Sequence, residues 1–363
     1  MKIHVAGAGG YLGIPLVARL LGDGHEVVAL DRFFFGRERF LAEWAKATID
    51  AAEGRMAGDP PGRADALLRS RFVQDDVRTF DQSLLDGVEA VVDLAGLSND
   101  ACGDLSPDLT TSINRHGAAK LLRQSMEMGV RRYVYASSAS VYGHGVREAL
   151  KEDDICVPQT EYARAKFDHE QYVSFRAGGV KTFEPVILRN ATLYGVAPRM
   201  RWDLVVNVMT MRAWKDGVIY VMGGGEQWRP LLHVDDAVDA VVAALIEPAA
   251  HVAHRVFNVG ETNMRVRDIA ARVKSAIPEA VVHDIPDGPD KRDYHLSFDA
   301  FHRATGWRPR WDVSAAPADI VAALRTGRVR ADDPTAYTVH WYKSIIEWET
   351  RLRDLAIGGK VLA

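Results

Sequence analysis

Over roughly the first 190 residues, short apolar runs alternate with amphipathic ones, and the apolar runs end in glycine, aspartate or serine. Ile3 to Ala6 predicts a strand that stops at Gly7-Ala8-Gly9-Gly10-Tyr11-Leu12-Gly13. Ile14, Leu16, Val17, Leu20 and Leu21 then recur at helical spacing up to Gly22-Asp23-Gly24. Glu26 to Leu30 predicts a second strand, closing in Asp31-Arg32. Further strands are predicted at Arg71 to Gln74, Ala90 to Leu94, Arg132 to Ala136 and Thr182 to Leu188, with helical stretches between, including Ile113 to Met128. Strands alternating with helices imply an α/β chain built on a doubly wound parallel sheet. In such sheets ligands lie beyond the carboxyl ends of the strands. Those ends carry Gly7, Asp31, Asp76, Leu94 and Ser138, which are expected to converge on one crevice.

The remainder reads less regularly. Residues 33–70 form a long connection in which Asp59-Pro60-Pro61-Gly62 breaks two helices. Phe257-Asn258-Val259-Gly260 reads as a strand end and Val266 to Ile277 as a helix. His340 to Leu355 reads as an amphipathic helix with Trp341, Ile345, Trp348, Leu352 and Leu355 along one face, capping a small domain or joining a subunit interface. The division expected is a nucleotide-binding domain over 1–185 and a mostly substrate-binding domain over 186–363, with some strands of the second returning to the main sheet.

The first turn carries specific chemistry. Gly7 permits a tight turn, Gly10 lets backbone approach a pyrophosphate, and Gly13 lets helix and strand pack closely. Amides of Tyr11 and Leu12 would face the phosphates at the helix N-terminus. Asp31 closes the second strand, where a carboxylate accepts from ribose hydroxyls and repels a 2′-phosphate, favouring NAD over NADP. Arg32 blunts that preference, because a guanidinium can partner such a phosphate. Phe33-Phe34-Phe35 is a buried plug or a wall beside the adenine, burial being preferred.

Tyr162 and Lys166 stand four apart in Glu161-Tyr162-Ala163-Arg164-Ala165-Lys166, so on a helix they share a face. A free phenol has a pKa of about 10 and is a poor base at neutral pH. A nearby ammonium or cationic ring favours the phenolate, and lowering the pKa by ~3 units takes roughly 4 kcal/mol. Such a tyrosine can take and return a proton.

Composition adds exclusions. The 363 residues are 47% apolar and 26% charged, ordinary for a globular protein. A net charge of −4 gives no broad basic surface for nucleic acid. Two cysteines, Cys102 and Cys156, make neither a disulfide framework nor a cysteine zinc site. His233, Asp235 and Asp236 lack a further nearby ligand, so no metal is expected, and His233 is expected to be a structural hydrogen-bonder. No apolar run approaches the ~20 residues of a membrane span, and a strand begins at the first residues, so a cytoplasmic location is expected.

Together these motifs resemble the extended short-chain dehydrogenase/reductase family with its Rossmann fold, and within it the NAD-dependent nucleotide-sugar epimerases and dehydratases, over about residues 1–310. The spacing Gly7-x-x-Gly10-x-x-Gly13 fits the extended subclass. The resemblance implies that Asp76-Val77 holds adenine, that Leu94-Ala95-Gly96-Leu97-Ser98 passes under the nicotinamide-side ribose, and that Asn114 is structural and contacts the cofactor. It makes Ser138, Tyr162 and Lys166 the catalytic trio, with Lys166 binding the ribose and depressing the Tyr162 pKa. Ser98 departs from the lysine common in epimerases.

The substrate side follows by the same resemblance. Thr192 faces a sugar hydroxyl, Asn207 and Arg229 contact the nucleotide diphosphate, Arg292 supplies a second phosphate-binding guanidinium, and Tyr294 lines the sugar or base side. Pro198-Arg199-Met200-Arg201-Trp202 is a substrate loop or an oligomer contact. The similarity is greatest to UDP-galactose 4-epimerase-like enzymes, implying epimerisation of a nucleotide-diphosphate sugar at C4 through a transient 4-keto sugar. The pair after Ser138 is Ala139-Ser140, without the acid and base of 4,6-dehydratases, the glutamate of decarboxylating relatives or the cysteine of 3,5-epimerases. The alternatives are a 4-ketoreductase or dehydrogenase, a 4,6-dehydratase, or a non-catalytic NAD-sensing protein. A homodimer is the family expectation.

Overall fold

β1 (Lys2–Ala6) is buried on both faces from Ile3 onward, as a central parallel strand covered by helices must be. In the computed structural model, which describes residues 1–52, 63–145, 149–286, 293–357 and 360, it lies mid-sheet. Next come β2 (Glu26–Asp31), β3 (Arg71–Gln74), β4 (Ala90–Asp93), β5 (Arg132–Ser138) and β6 (Glu184–Asn190). After them follow β7 (Thr192–Tyr194), β8 (Val218–Met222), β9 (Trp228–His233), β10 (Arg255–Val259), β11 (Thr262–Arg265) and β12 (Val281–Ile285).

Seven strands form one sheet in the order β10-β6-β5-β4-β1-β2-β3, each paired with its neighbours in parallel. The winding reverses between β1 and β4, the place where such sheets open a crevice. Registers Ala6↔Leu30, Ala6↔Asp93 and Ser138↔Asn190 align the carboxyl ends along one edge. The fold is the doubly wound Rossmann type. The boundary expected at 185/186 falls inside β6, and both β6 and β10 belong to the main sheet. Two small sheets, β11-β9-β7 and β12-β8, stand beyond it.

Two local features fix the edge. Gly7 has φ +85, and Gly13 packs so closely that an added Cβ would lie 2.1 Å from the Gly7 carbonyl oxygen. The helix Gly13–Gly22 therefore starts directly against the end of β1. At the opposite side, the helix Glu161–Ala177 is capped by the Thr160 hydroxyl, which accepts from the Ala163 amide. Gly103 lets the helix Asp100–Leu105 approach it, since a Cβ there would meet the Tyr162 Cβ at 2.8 Å. The stretch expected as one helix from Ile113 to Met128 is a π-helical segment, Thr111–Gly117, continued by α-helix Ala118–Glu127. The segment 59–62 lies outside the described residues, between helices Glu38–Ala52 and Arg63–Arg69.

Candidate active site

The carboxyl edge opens into a crevice lined by Gly7, Gly10, Tyr11, Leu12 and Gly13, by Asp31, Arg32, Asp76 and Val77, and by Leu94, Ala95, Gly96 and Ser98. Ser138, Tyr162, Lys166, Thr192 and Tyr294 line it as well. Most residues picked out from the sequence thus meet in one place, over separations of up to 287 positions.

Asp31 accepts from the Gly9 amide at 2.9 Å and from the Phe33 amide at 2.6 Å. Burial pushes its carboxyl upward, against the pull of those two amides. Arg32 donates to Asp76 at 2.9 Å, so its charge is committed within the chain. Arg78 also donates to Asp76, and with burial opposing, the two guanidinium groups hold Asp76 down at about 2. Asn114 grips the loop after β4: its Nδ2 donates to the Leu97 carbonyl at 3.0 Å and its Oδ1 accepts from the Leu97 amide at 2.8 Å. Asn114 does not itself line the crevice. The phenylalanine run is split: Phe33 is buried in the core, whereas Phe34 and Phe35 line the crevice.

Ser138 caps the turn Ala139–Tyr142, accepting from the Ser140 amide at 3.2 Å and from the Ser140 hydroxyl at 2.9 Å. It stands close enough to the Tyr162 phenol to favour the ionised form. Burial raises that phenol to about 12, and the Asp100 charge adds to the rise; Ser138 and the Arg201 guanidinium oppose it. Lys166 is not among the largest influences on Tyr162. Its Nζ donates to the Ala136 carbonyl at 2.7 Å and sits 4.7 Å from the Tyr135 ring centroid. Burial lowers the Lys166 ammonium to about 8, against the attraction of Asp93 and Glu170. The cation named among the largest influences on the phenol is Arg201, which the sequence left undecided between a substrate loop and an oligomer contact.

Arg201 is buried, with Nη2 donating to Asp203 at 2.6 Å and to the Ser98 carbonyl at 3.0 Å. Asp100, on the same side, accepts from the Thr160 hydroxyl at 2.5 Å. Both line the crevice, as do Arg199 and Asn190. No periodicity marks these residues; the signal available was the dense Arg199-Met200-Arg201 pair after the β7 turn.

Two expected substrate contacts lie elsewhere. Asn207 is fully buried; its Oδ1 accepts from the Gly195 amide at 2.9 Å, and its Nδ2 donates to the Tyr11 hydroxyl at 3.2 Å and the Arg201 carbonyl at 3.1 Å. It braces the turn after β7 against the first glycine loop. Arg229 is buried in β9, where its Nη1 donates to the Trp228 carbonyl at 2.7 Å, and it does not line the crevice. Arg292 lies outside the described residues. His233 accepts from the Asp235 amide at 3.1 Å, stacks on Trp311 at 3.9 Å and is held by burial at about 3, a neutral structural ring. His144 is exposed and pairs with Asp293 in a bridge. Among the described residues no group of three or more His, Cys, Asp or Glu is placed to hold a metal ion. None of their helices is long and apolar enough to cross a membrane.

The crevice fits a dinucleotide. At Gly10 the first turn stands nearly open, an added Cβ meeting one atom within 4 Å, the Gly7 carbonyl oxygen at 3.3 Å. Asp31 waits at the end of β2, and a serine, tyrosine and lysine stand past the switch point.

Comparison with known proteins agrees. A UDP-glucose 4-epimerase of Mycolicibacterium smegmatis is 27% identical, over 90% of this chain and 99% of its own. The fold is shared with a UDP-glucuronic acid 4-epimerase from Bacillus cereus, solved with UDP-glucuronic acid and NAD, at TM-score 0.74 and 21% identity, covering 90% of this chain and 99% of that one. It is shared also with an NAD-dependent NDP-hexosamine 5,6-dehydratase at TM-score 0.72 and 21% identity, covering 94% and 98%. With residues 3–260 matching its family model, this chain belongs to the NAD dependent epimerase/dehydratase family, and NAD is its cofactor.

Proposed function

We propose that the protein epimerises a nucleotide-diphosphate sugar at C4 through a transient 4-keto sugar. The observation that carries this reading is that Ser138, Tyr162 and Lys166 line one crevice, with Ser138 at the end of β5 followed by Ala139 and Ser140, which bring no ionisable group. NAD, when bound, supplies the hydride acceptor and then the donor. Tyr162 takes the proton of the sugar 4-hydroxyl at its phenol oxygen. Ser138 holds that same oxygen, itself oriented by the Ser140 hydroxyl. Arg201 eases the charge on the phenolate, which a phenol at about 12 needs before it can act near neutrality. Lys166 is placed to leave the Ala136 carbonyl for a ribose hydroxyl. Thr192 and Tyr294 border the sugar side, and Asp31 takes the adenosine ribose. The reading extends to a homodimer in the cytoplasm, with residues 186–363 supplying most of the substrate side.

One observation favours a second reading. Asp100 gives the crevice a carboxylate within electrostatic reach of Tyr162, so elimination of water is the alternative. The experiment is a screen of nucleotide sugars with product detection by NMR and mass. An epimer of unchanged mass, without net change in cofactor absorbance, is expected. Loss of one water identifies a dehydratase, and stoichiometric consumption of cofactor identifies a reductase or dehydrogenase; either overturns the C4 epimerase.

A further inference from the structure

The helix Thr338–Leu355 lies well past the residues that match the family model, yet its first turns return to the cofactor crevice. Tyr342 lines that crevice, and its ring meets Phe34 and Phe35 edge-on, with centroids 5.9 and 5.2 Å away. Trp341 Nε1 donates to the Phe34 carbonyl at 2.6 Å. Thr338 accepts from Arg199 Nη2 at 2.8 Å, and the Arg199 guanidinium lies 3.6 Å from the Phe35 ring centroid. Just before the helix, Arg39 donates to Thr335 at 3.0 Å and to Asp333 at 2.5 Å. Three distant segments are thus laced together at one wall: the connection after β2, the turn after β7 and the C-terminal helix.

That wall is unfinished. Arg199 is 2% exposed, and among the described residues it has no carboxylate within ion-pair distance and its Nε has no hydrogen-bond partner. A buried cation is costly unless an anion meets it. The Tyr342 hydroxyl likewise makes no hydrogen bond among the described residues. Both stand within electrostatic reach of Asp31, the carboxylate at the end of β2. A dinucleotide seated there brings two phosphates and ribose hydroxyls, the groups this wall lacks.

We propose that Tyr342, with Arg199 held by Thr338 and Phe35, forms a clasp over the ADP-ribose half of NAD, so that the C-terminal helix retains the cofactor between turnovers. Retention rests on the reading that NAD is regenerated in each cycle. Contact between the clasp and the ADP-ribose half does not.

The test is release of NADH from the whole chain with no sugar present, followed by its fluorescence on mixing with excess NAD. Its outcome is therefore independent of which reaction the crevice runs. Tyr342→Ala is expected to speed release about tenfold or more, and Tyr342→Phe, which loses only the hydroxyl, about two- to fivefold. Trp348→Ala, on the exposed part of the same helix, is expected to leave release unchanged. ADP-ribose, used as a probe, should bind the Tyr342→Ala protein more weakly by a similar factor, and nicotinamide mononucleotide should not. Release within twofold of the parent for both Tyr342 variants overturns the proposal. So does equal acceleration by Trp348→Ala, which would trace the effect to helix stability. Should Tyr342→Ala fail to fold, the Tyr342→Phe rate decides alone.

Discussion

Two glycines of the first turn do different physical work, and paired alanine substitutions separate it. At Gly13 a new Cβ would stand 2.1 Å from the Gly7 carbonyl oxygen and 2.8 Å from the Ala8 carbonyl carbon and oxygen. All three are backbone atoms, so no side chain can swing aside. Relief requires the helix Gly13–Gly22 to retreat by about 1 Å, the scale on which overpacking costs typically 1–3 kcal/mol. The retreat also strains the bonds from the Gly10 amide to Gly7, at 3.2 Å, and from the Ile14 amide to Gly10, at 3.1 Å. Adding about 1 kcal/mol for those gives a total of about 2–4 kcal/mol. In a chain of this length, with an unfolding entropy near 2.1 cal/mol/K per residue, that lowers the melting temperature by about 3–5 °C. At Gly10 the nearest atom is 3.3 Å away, which a few tenths of an ångström accommodates. There the methyl group instead occupies the face a pyrophosphate must approach. The expected pattern is that Gly13→Ala melts early, whereas Gly10→Ala melts within about 1 °C of the parent yet binds NADH at least ~100-fold more weakly. Scanning fluorimetry of the cofactor-free protein and NADH titration measure the two effects. A Gly13→Ala protein that melts like the parent, or a Gly10→Ala protein that binds NADH normally, refutes the division of labour.

Tyr162→Phe should keep NADH affinity and lower turnover about a thousandfold, the range of a lost general base; near-normal turnover removes Tyr162 from the chemistry. Asp31→Ala should weaken NAD and narrow its advantage over NADP in competitive binding, but only by removing repulsion, because Arg32 is already engaged with Asp76. Replacing Arg201 and Asp203 together, as Arg201→Gln with Asp203→Asn, removes the cation that favours the Tyr162 phenolate without stranding its carboxylate partner. The rising limb of turnover against pH should then move upward by roughly 0.5–1 unit, and an unmoved limb excludes Arg201 as the influence. His4, His169 and His233 stay neutral in the fold, burial holding each at about 3, whereas an unfolded histidine takes up a proton near its usual 6.5. The unfolded chain therefore binds more protons between those values, and stability must fall as pH drops through that window, by up to about 1.4 kcal/mol per pH unit for each ring. Melting curves that stay flat from roughly pH 7 to pH 4 contradict this.

Much of this architecture is written locally. The alternation of apolar runs with helical periodicity specifies parallel strands and covering helices, because a strand buried on both faces must be continuously apolar. Gly7, Gly10 and Gly13, Asp31 at a strand end, and Tyr162 with Lys166 one helical turn apart act through the backbone next to them, so their spacing alone reveals them. What the sequence could not disclose are choices among distant partners. Arg32 pairs with Asp76 across 44 positions, and Asn207 is spent on Tyr11 and Gly195. Arg229 donates to a neighbouring carbonyl, and Arg201, from the turn after β7, is among the groups that lower the Tyr162 phenol. Tyr342 reaches the crevice from a helix whose apolar stripe pointed to a covered face, yet Trp348, Leu352 and Leu355 of that stripe are exposed. A hydrophobic period offers a face for burial, but only the packed fold decides whether and by what it is covered; a charged side chain is satisfied by whichever partner that fold brings within a few ångströms.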